Sequence, residues 1–406
     1  MSVGTAGRRI WITASLAVAA LVSAACVPSP PQPGPTTTTT TVVDPLPQTP
    51  VGDDTVRLNQ IQLAGSHNSY HVAPERRIID LLVAGAAAFP AIAGGLGDPA
   101  SLDYTHASLP DQLAAGIRTF ELDVWADPAG GRFTYPKLDA IFGFRDPELD
   151  AASLREPGFK VFHIADIDQR SRCALLETCL SELRTWSDAH PGHLPVIIDL
   201  ELKDDVLPAP LVGTPVVPFA EAQFQALDAQ LRSSLGDRLI TPDDIRGAAS
   251  TLNEAITTVG WPSVAAARGK FMFFLDNEAK RDAYVAGHPT LQGRVLFTSS
   301  GEGQPDGAFI KVNDPTELAR IQSLVEEGYM VRTRADANLA EANANDSTHR
   351  DLALSSGAQI VHSDFPPNEP HRNGYVVTFG TRVAARCNPL NTTPASCGPL
   401  AVVEAA

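Results

Sequence analysis

Leu63-Ala64-Gly65-Ser66-His67-Asn68-Ser69-Tyr70 is an apolar run that stops abruptly at an imidazole and an amide. Three later apolar runs stop the same way: residues 117–124 carry Glu121 and Asp123, residues 159–164 carry His163, and residues 196–202 carry Glu201. Each run is short, rich in β-branched or aromatic residues, and bounded by Gly, Pro or Asp. That pattern suits a parallel strand buried on both faces better than a helix. Polar groups at the far ends of successive parallel strands describe the mouth of an α/β barrel. Four further strands are read at 270–275, 294–298, 329–334 and 358–363, completing a set of eight, with a ninth candidate at 308–312.

Amphipathic segments at 174–187, 219–235 and 315–327 fall between strands, so strand and helix alternate as a βα repeat requires. The expected fold class is therefore α/β, a (β/α)8 TIM barrel with loop insertions. The alternative, an open doubly wound sheet, lacks the glycine-rich phosphate loop after its first strand. Insertions at 72–110 and 126–157 each follow a strand bearing polar site residues and should overhang the mouth. They read as a lid, an apolar wall or a membrane-facing ridge, or else as packed decoration that never meets substrate.

The barrel domain is expected over 54–406. Ahead of it, Arg8 and Arg9 precede an apolar run at 10–25, so 1–26 reads as an export signal. Leu21-Val22-Ser23-Ala24-Ala25-Cys26 resembles a bacterial lipoprotein box with Cys26 as the lipid anchor; ordinary cleavage near the alanine pair is the alternative. Residues 27–53 are Pro- and Thr-rich and read as a disordered spacer. The expected location is the cell surface or the medium. Cys173, Cys179, Cys387 and Cys397 form two close pairs, read as two local disulfides because the spacings do not suit a zinc knuckle. A formal charge of −16 excludes nucleic acid as a partner. It also excludes a purely electrostatic hold on an anionic membrane, so contact with lipid is expected to be peripheral and the protein to be a monomer.

Three carboxylates converging on one mouth repel one another unless one is protonated or a cation sits among them. Asn68, Glu121, Asp123 and Glu201 are hard oxygen donors, which suits Ca2+ or, as the alternative, Mg2+. His67 and His163 are then left for proton transfer; if they ligated the metal instead, Zn2+ or Mn2+ would fit better. A cation flanked by two imidazoles suits attack on a phosphodiester. Lys203, Arg332 and Arg334 read either as anchors for phosphate or inositol substituents, or as partners of Glu201, Asp336 and Asp364.

In their order, His67-Asn68-Ser69-Tyr70, Glu121-Leu122-Asp123-Val124, Phe162-His163 and Glu201-Leu202-Lys203 resemble the calcium-dependent phosphoinositide-specific phospholipase C family, in its exported bacterial branch. The resemblance covers most of 58–385. Arg118, Trp186-Ser187-Asp188-Ala189-His190-Pro191, Arg332-Thr333-Arg334-Ala335-Asp336 and Ser356-Gly357-Ala358-Gln359 extend it. It implies a distorted TIM barrel in which Asn68, Glu121, Asp123 and Glu201 hold Ca2+ while His67 and His163 stabilise the transition state. It further implies attack by the inositol 2-hydroxyl, giving diacylglycerol and an inositol cyclic phosphate. Metal-independent relatives follow the first histidine with Asp, where this chain has Asn68. Glycerophosphodiester phosphodiesterases follow it with Arg-Gly, absent here, and are the alternative reading; a catalytically silent surface binding module is the second.

Overall fold

The protein is described as a computed structural model covering residues 54–88, 98–143, 145–206, 213–380 and 383–392. The leader, the spacer, Cys26 and Cys397 lie outside the described residues. The apolar runs become strands β1 (Ile61–Ser66), β2 (Thr119–Asp127), β3 (Gly158–Val161), β4 (Val196–Lys203), β5 (Phe271–Leu275), β6 (Leu296–Thr298), β7 (Phe309–Lys311), β8 (Met330–Arg334), β9 (Ile360–Ser363) and β10 (Ala385–Cys387).

Eight of these strands run side by side in the order β6-β5-β4-β2-β1-β9-β8-β7, with neighbours parallel. A single parallel bridge, Ser299 with Phe309, joins the two ends, so the sheet curls into a nearly closed barrel. Helices Leu176–Ala189, Glu221–Leu235 and Leu318–Glu326 occupy the expected connections and bury leucines such as Leu180, Leu227 and Leu324 against it. The TIM barrel is the fold.

One strand assignment changes. The third run, read as a barrel strand at 159–164, forms β3, which pairs antiparallel with the far end of β2 from Val124↔Val161 to Asp127↔Gly158. Its place in the barrel goes to β7, the ninth candidate. The cause lies in strand length: β1 pairs with β2 only at Gly65↔Thr119, so the upper edge of the nine-residue β2 is left open for β3. A short apolar run carries no mark of its pairing direction.

The register sets the site. Across the β2–β4 ladder Glu121 lies opposite Asp199 and Asp123 opposite Glu201. With a side-chain period of two, these four carboxylates share one face while Leu122, Leu200 and Leu202 take the other. Gly65 is required for the close approach of β1, since a Cβ there would lie 1.8 Å from Thr119 Oγ1.

The two insertions are helical in part, with Arg76–Ala88, Lys137–Phe142 and short 3-10 turns at Pro99–Leu102 and Ser153–Arg155. They meet in one apolar cluster, Leu82 and Leu102 from the first and Leu138 from the second, with Ile164 and Ile167 from beyond β3. Val83, Tyr135 and Ile141 remain exposed on them. A Cys173–Cys179 disulfide joins the chain after β3 to the next helix. Arg118 is structural: buried below the barrel, it donates to Leu113 O and Ile117 O and lies 4.9 Å from the Trp186 ring centre. His190 stacks on Trp186 at the packed end of its helix. Among the described residues no helix is long and apolar enough to cross a membrane.

Candidate active site

At the mouth, β1 turns sharply. Asn68 takes a left-handed φ of 46°, which Asn tolerates better than most side chains. The turn is fastened to β2 by Ser69 N donating to Glu121 O and by Glu121 N donating to Ser69 Oγ. Asn68 is buried; its Nδ2 donates to Tyr104 Oη at 3.1 Å and its Oδ1 accepts from Tyr70 Oη at 3.4 Å.

Oxygen atoms of Glu121, Asp123 and Glu201 lie within 4.8 Å of one another. Their repulsion is met from two sides. Arg332 Nη2 donates to Glu121 Oε2 at 2.5 Å, and Lys203 Nζ lies 3.1 Å from Asp123 Oδ2 and 2.8 Å from Glu201 Oε1. Burial acts to raise the pKa of Glu121, but Arg332 and then His67 hold it well below the usual carboxylate range. Asp123 goes the other way: burial pushes it well up, Lys203 opposes, and Glu201 and Glu121 push it further. Its Oδ1 is buried and accepts no hydrogen bond. A buried carboxylate oxygen left without a donor beside two other carboxylates is what a hard cation would complete.

His67 is held between opposite charges. Its Nδ1 lies 2.6 Å from Asp364 Oδ1, its Nε2 lies 3.1 Å from Arg334 Nη1, and Glu121 Oε1 is 3.7 Å away. Burial would raise Asp364, yet His67 and Arg334 bring it down to about 2. His163 stands just beyond β3, with Nδ1 2.9 Å from Asp168 Oδ2. Burial pushes its pKa down, against the pull of Asp168. His163 and Lys203 line a cavity of about 110 Å³ with Trp125, Ile164 and Asp166.

Of the three cations read from sequence, Lys203 and Arg334 are partly exposed at the mouth, whereas Arg332 is 2% exposed and lies deeper. Besides Glu121, Arg332 meets Asn313, His362, Asp199 and Asp276. This inner layer was not visible from sequence. Asp199 is pushed well up by burial and then by Asp276, while His362 is brought down to about 4, chiefly by burial. His362 shows the same signal that singled out Glu121, a polar residue within an apolar strand. Asp168 and His71 were also missed as site residues: His71 is fully buried, with Nε2 2.8 Å from Asp168 Oδ2.

A sequence model of the family described as phosphoinositide phospholipase C, Ca2+-dependent, matches residues 56–389. Among solved structures, the chain is similar to a Ca2+-dependent phosphatidylinositol-specific phospholipase C from Streptomyces antibioticus, with 19% identity, 76% of this chain and 95% of that one covered, and a TM-score of 0.47. It is also similar to a calcium-dependent phosphoinositol-specific phospholipase C from Pseudomonas sp. in a myoinositol complex, with 15% identity, coverage of 82% and 96%, and a TM-score of 0.49. For the phosphatidylinositol-specific phospholipase C of Listeria monocytogenes the values are 14%, 77% and 91%, and 0.42. No curated protein matches the chain.

Proposed function

Because the chain belongs to the Ca2+-dependent phosphoinositide phospholipase C family, whose sequence model spans residues 56–389, we propose that it cleaves the glycerol–phosphate bond of phosphatidylinositol-type lipids by attack of the inositol 2-hydroxyl. The observation that carries this reading is the cluster of Glu121, Asp123 and Glu201 oxygens within 4.8 Å, with an unpartnered Asp123 Oδ1 and with His67 beside Glu121.

Asn68, Glu121, Asp123 and Glu201 would hold Ca2+. When bound, the cation polarises the phosphoryl group and favours ionisation of a coordinated hydroxyl. Arg332 keeps Glu121 ionised, ready to serve as a donor. Arg334, which donates to His67 Nε2, faces the substrate with positive potential where charge develops on the phosphoryl oxygens. In the step itself the 2-hydroxyl oxygen forms a bond to phosphorus, the bond from phosphorus to the glycerol oxygen breaks, and the hydroxyl proton is lost as the alkoxide gains one. One of the clustered carboxylates takes the first proton and His163 or His67 supplies the second. The products are diacylglycerol and an inositol cyclic phosphate.

Export is part of the reading, supported by the Cys173–Cys179 disulfide, a bond characteristic of oxidising compartments. The exposed Val83, Tyr135 and Ile141 on the insertions and Val206 at the mouth offer apolar groups for peripheral contact with a lipid surface.

The test is to incubate the full chain with phosphatidylinositol and separately with glycerophosphoinositol, with Ca2+ or with a chelator, and to identify products by phosphorus NMR. Inositol cyclic phosphate from the lipid, abolished by chelation and by His67→Ala, is expected. Glycerol 3-phosphate from the deacylated diester alone would place the protein with the glycerophosphodiesterases instead, and turnover in the chelator would remove the metal assignment.

A further inference from the structure

The turn that carries His67 and Asn68 is gripped by a short stretch of chain, residues 104–112, where the first insertion runs into the helix Leu109–Ala114. Three successive residues of the turn meet three buried side chains of that stretch. His106 Nε2 lies 2.9 Å from His67 O, Asn68 Nδ2 donates to Tyr104 Oη at 3.1 Å, and Gln112 Nε2 donates to Ser69 O at 2.7 Å. The first and third of these hold backbone. The second holds a side chain, that of Asn68.

The gripping stretch is itself fixed. Gln112 also donates to Ala107 O and accepts from Ser66 Oγ, and Ala107 N donates to Glu369 Oε1. The Tyr104 ring stacks on His71 with centres 4.3 Å apart and packs in an apolar cluster with Leu339, Phe365 and Tyr375. Its hydroxyl therefore stands at a set place beside the turn.

A primary amide has two ends of similar size and opposite character, an oxygen that accepts and a nitrogen that donates. A half-turn about the last side-chain bond exchanges them, and the left-handed backbone of Asn68 does not choose between them. A hard cation beside Glu121, Asp123 and Glu201 takes oxygen and is repelled by N–H. Tyr104 makes the choice by engaging the nitrogen. Oδ1 carries the long 3.4 Å bond from Tyr70 Oη, which leaves a lone pair for a cation.

Resting on the reading above, in which Asn68 is a Ca2+ ligand, we propose that Tyr104 is a positioning residue for the cation: its hydroxyl accepts from Asn68 Nδ2 and so presents Oδ1 to the site. The first insertion thus contributes to metal affinity through one hydroxyl, which acts on the cation by way of Asn68.

The test is Ca2+ binding by titration calorimetry on the full chain stripped of metal with a chelator, in the absence of lipid. Tyr104→Phe keeps the ring and removes the hydroxyl, and is expected to weaken Ca2+ about tenfold. Tyr70→Phe, which removes only the long bond to Oδ1, should change the affinity by no more than about threefold. In an Asn68→Ala background, itself weakened about tenfold or more, adding Tyr104→Phe should cost no more than about twofold further, because the hydroxyl then has no amide to hold. Wild-type affinity in Tyr104→Phe would overturn the proposal, and so would a full tenfold loss on top of Asn68→Ala, the mark of a purely structural role. A second reading needs no variant: side-chain amide NMR should show the Asn68 N–H protons exchanging slowly with solvent both in chelator and in Ca2+, and an amide that exchanges freely or turns over would also overturn it. A wild-type chain that takes up no Ca2+ would sink the cation reading itself and this one with it, whereas normal uptake in Tyr104→Phe would sink this one alone.

Discussion

The two flanks of the mouth hold their histidines by opposite means. On the β1–β8–β9 side, His67 lies between an anion and a cation, Asp364 at 2.6 Å and Arg334 at 3.1 Å. On the β2–β3 side, His163 has a single carboxylate, and that carboxylate is shared with a second, deeper imidazole. The first arrangement puts the Arg334 charge at the mouth. The second buries its carboxylate behind the His163 ring, so the flanks should differ in what they contribute: transition-state charge stabilisation from one and proton placement from the other.

The largest effect expected is from His67→Ala, a fall of about 10⁴-fold in kcat, with His163→Ala about tenfold milder. Steady-state assays on phosphatidylinositol would decide the order, and a reversed ranking breaks the comparison. Arg334→Gln comes next, with a loss of about 10²–10³-fold in kcat. If the loss falls on KM alone, Arg334 serves binding rather than the transition state.

Within the first flank two carboxylates respond to acid in opposite ways, Asp364 being held at about 2 and Asp336 being raised. Asp336 accepts Asp364 N–H on the first flank, and burial, then the Asp364 charge, pushes its pKa up to about 7. The folded state therefore keeps a proton that the unfolded chain releases above about pH 4, so this group makes stability fall as pH rises from about 4 to about 7. Asp336→Asn should flatten that slope, by about 1–3 kcal/mol in urea melts compared at the two ends. Asp168, on the second flank, has the opposite sign. Held at about 2, it contributes stability that is present above about pH 4 and is lost as pH falls towards 2. An effect of similar size concerns the second flank alone: reducing Cys173–Cys179 should cost about 2 kcal/mol in melts.

Much of this was legible in the sequence, for identifiable reasons. Asn68, Glu121, Asp123 and Glu201 interrupt or end apolar runs, and the period of a strand places such residues at one mouth. Depth was not legible. Arg332 and Arg334 are two residues apart on the same face of β8, yet one is buried under Glu121 and the other reaches His67. Alternation reports the face of a strand, not its height relative to the rim. Pairings across the chain escaped for a similar reason: 97 residues separate His71 from Asp168, and neither sits in a patterned run. The exchange of β3 for β7 came from pairing direction, on which a four-residue apolar segment is silent.

The barrel closes weakly between β6 and β7, through one bridge and the bond from Ser300 N to Phe309 O. Asn68, Glu121, Glu201, Arg334 and His362 come from β1, β2, β4, β8 and β9 or the turns that follow them, and in the ring these five strands are contiguous. The molecule thus behaves as a clamp whose gap lies away from its jaws. Breathing should start at the gap, where backbone amides would take up deuterium first, while the arc carrying these five residues stays shut. A chain recircularised and cut open in that gap would keep its working arc in one piece.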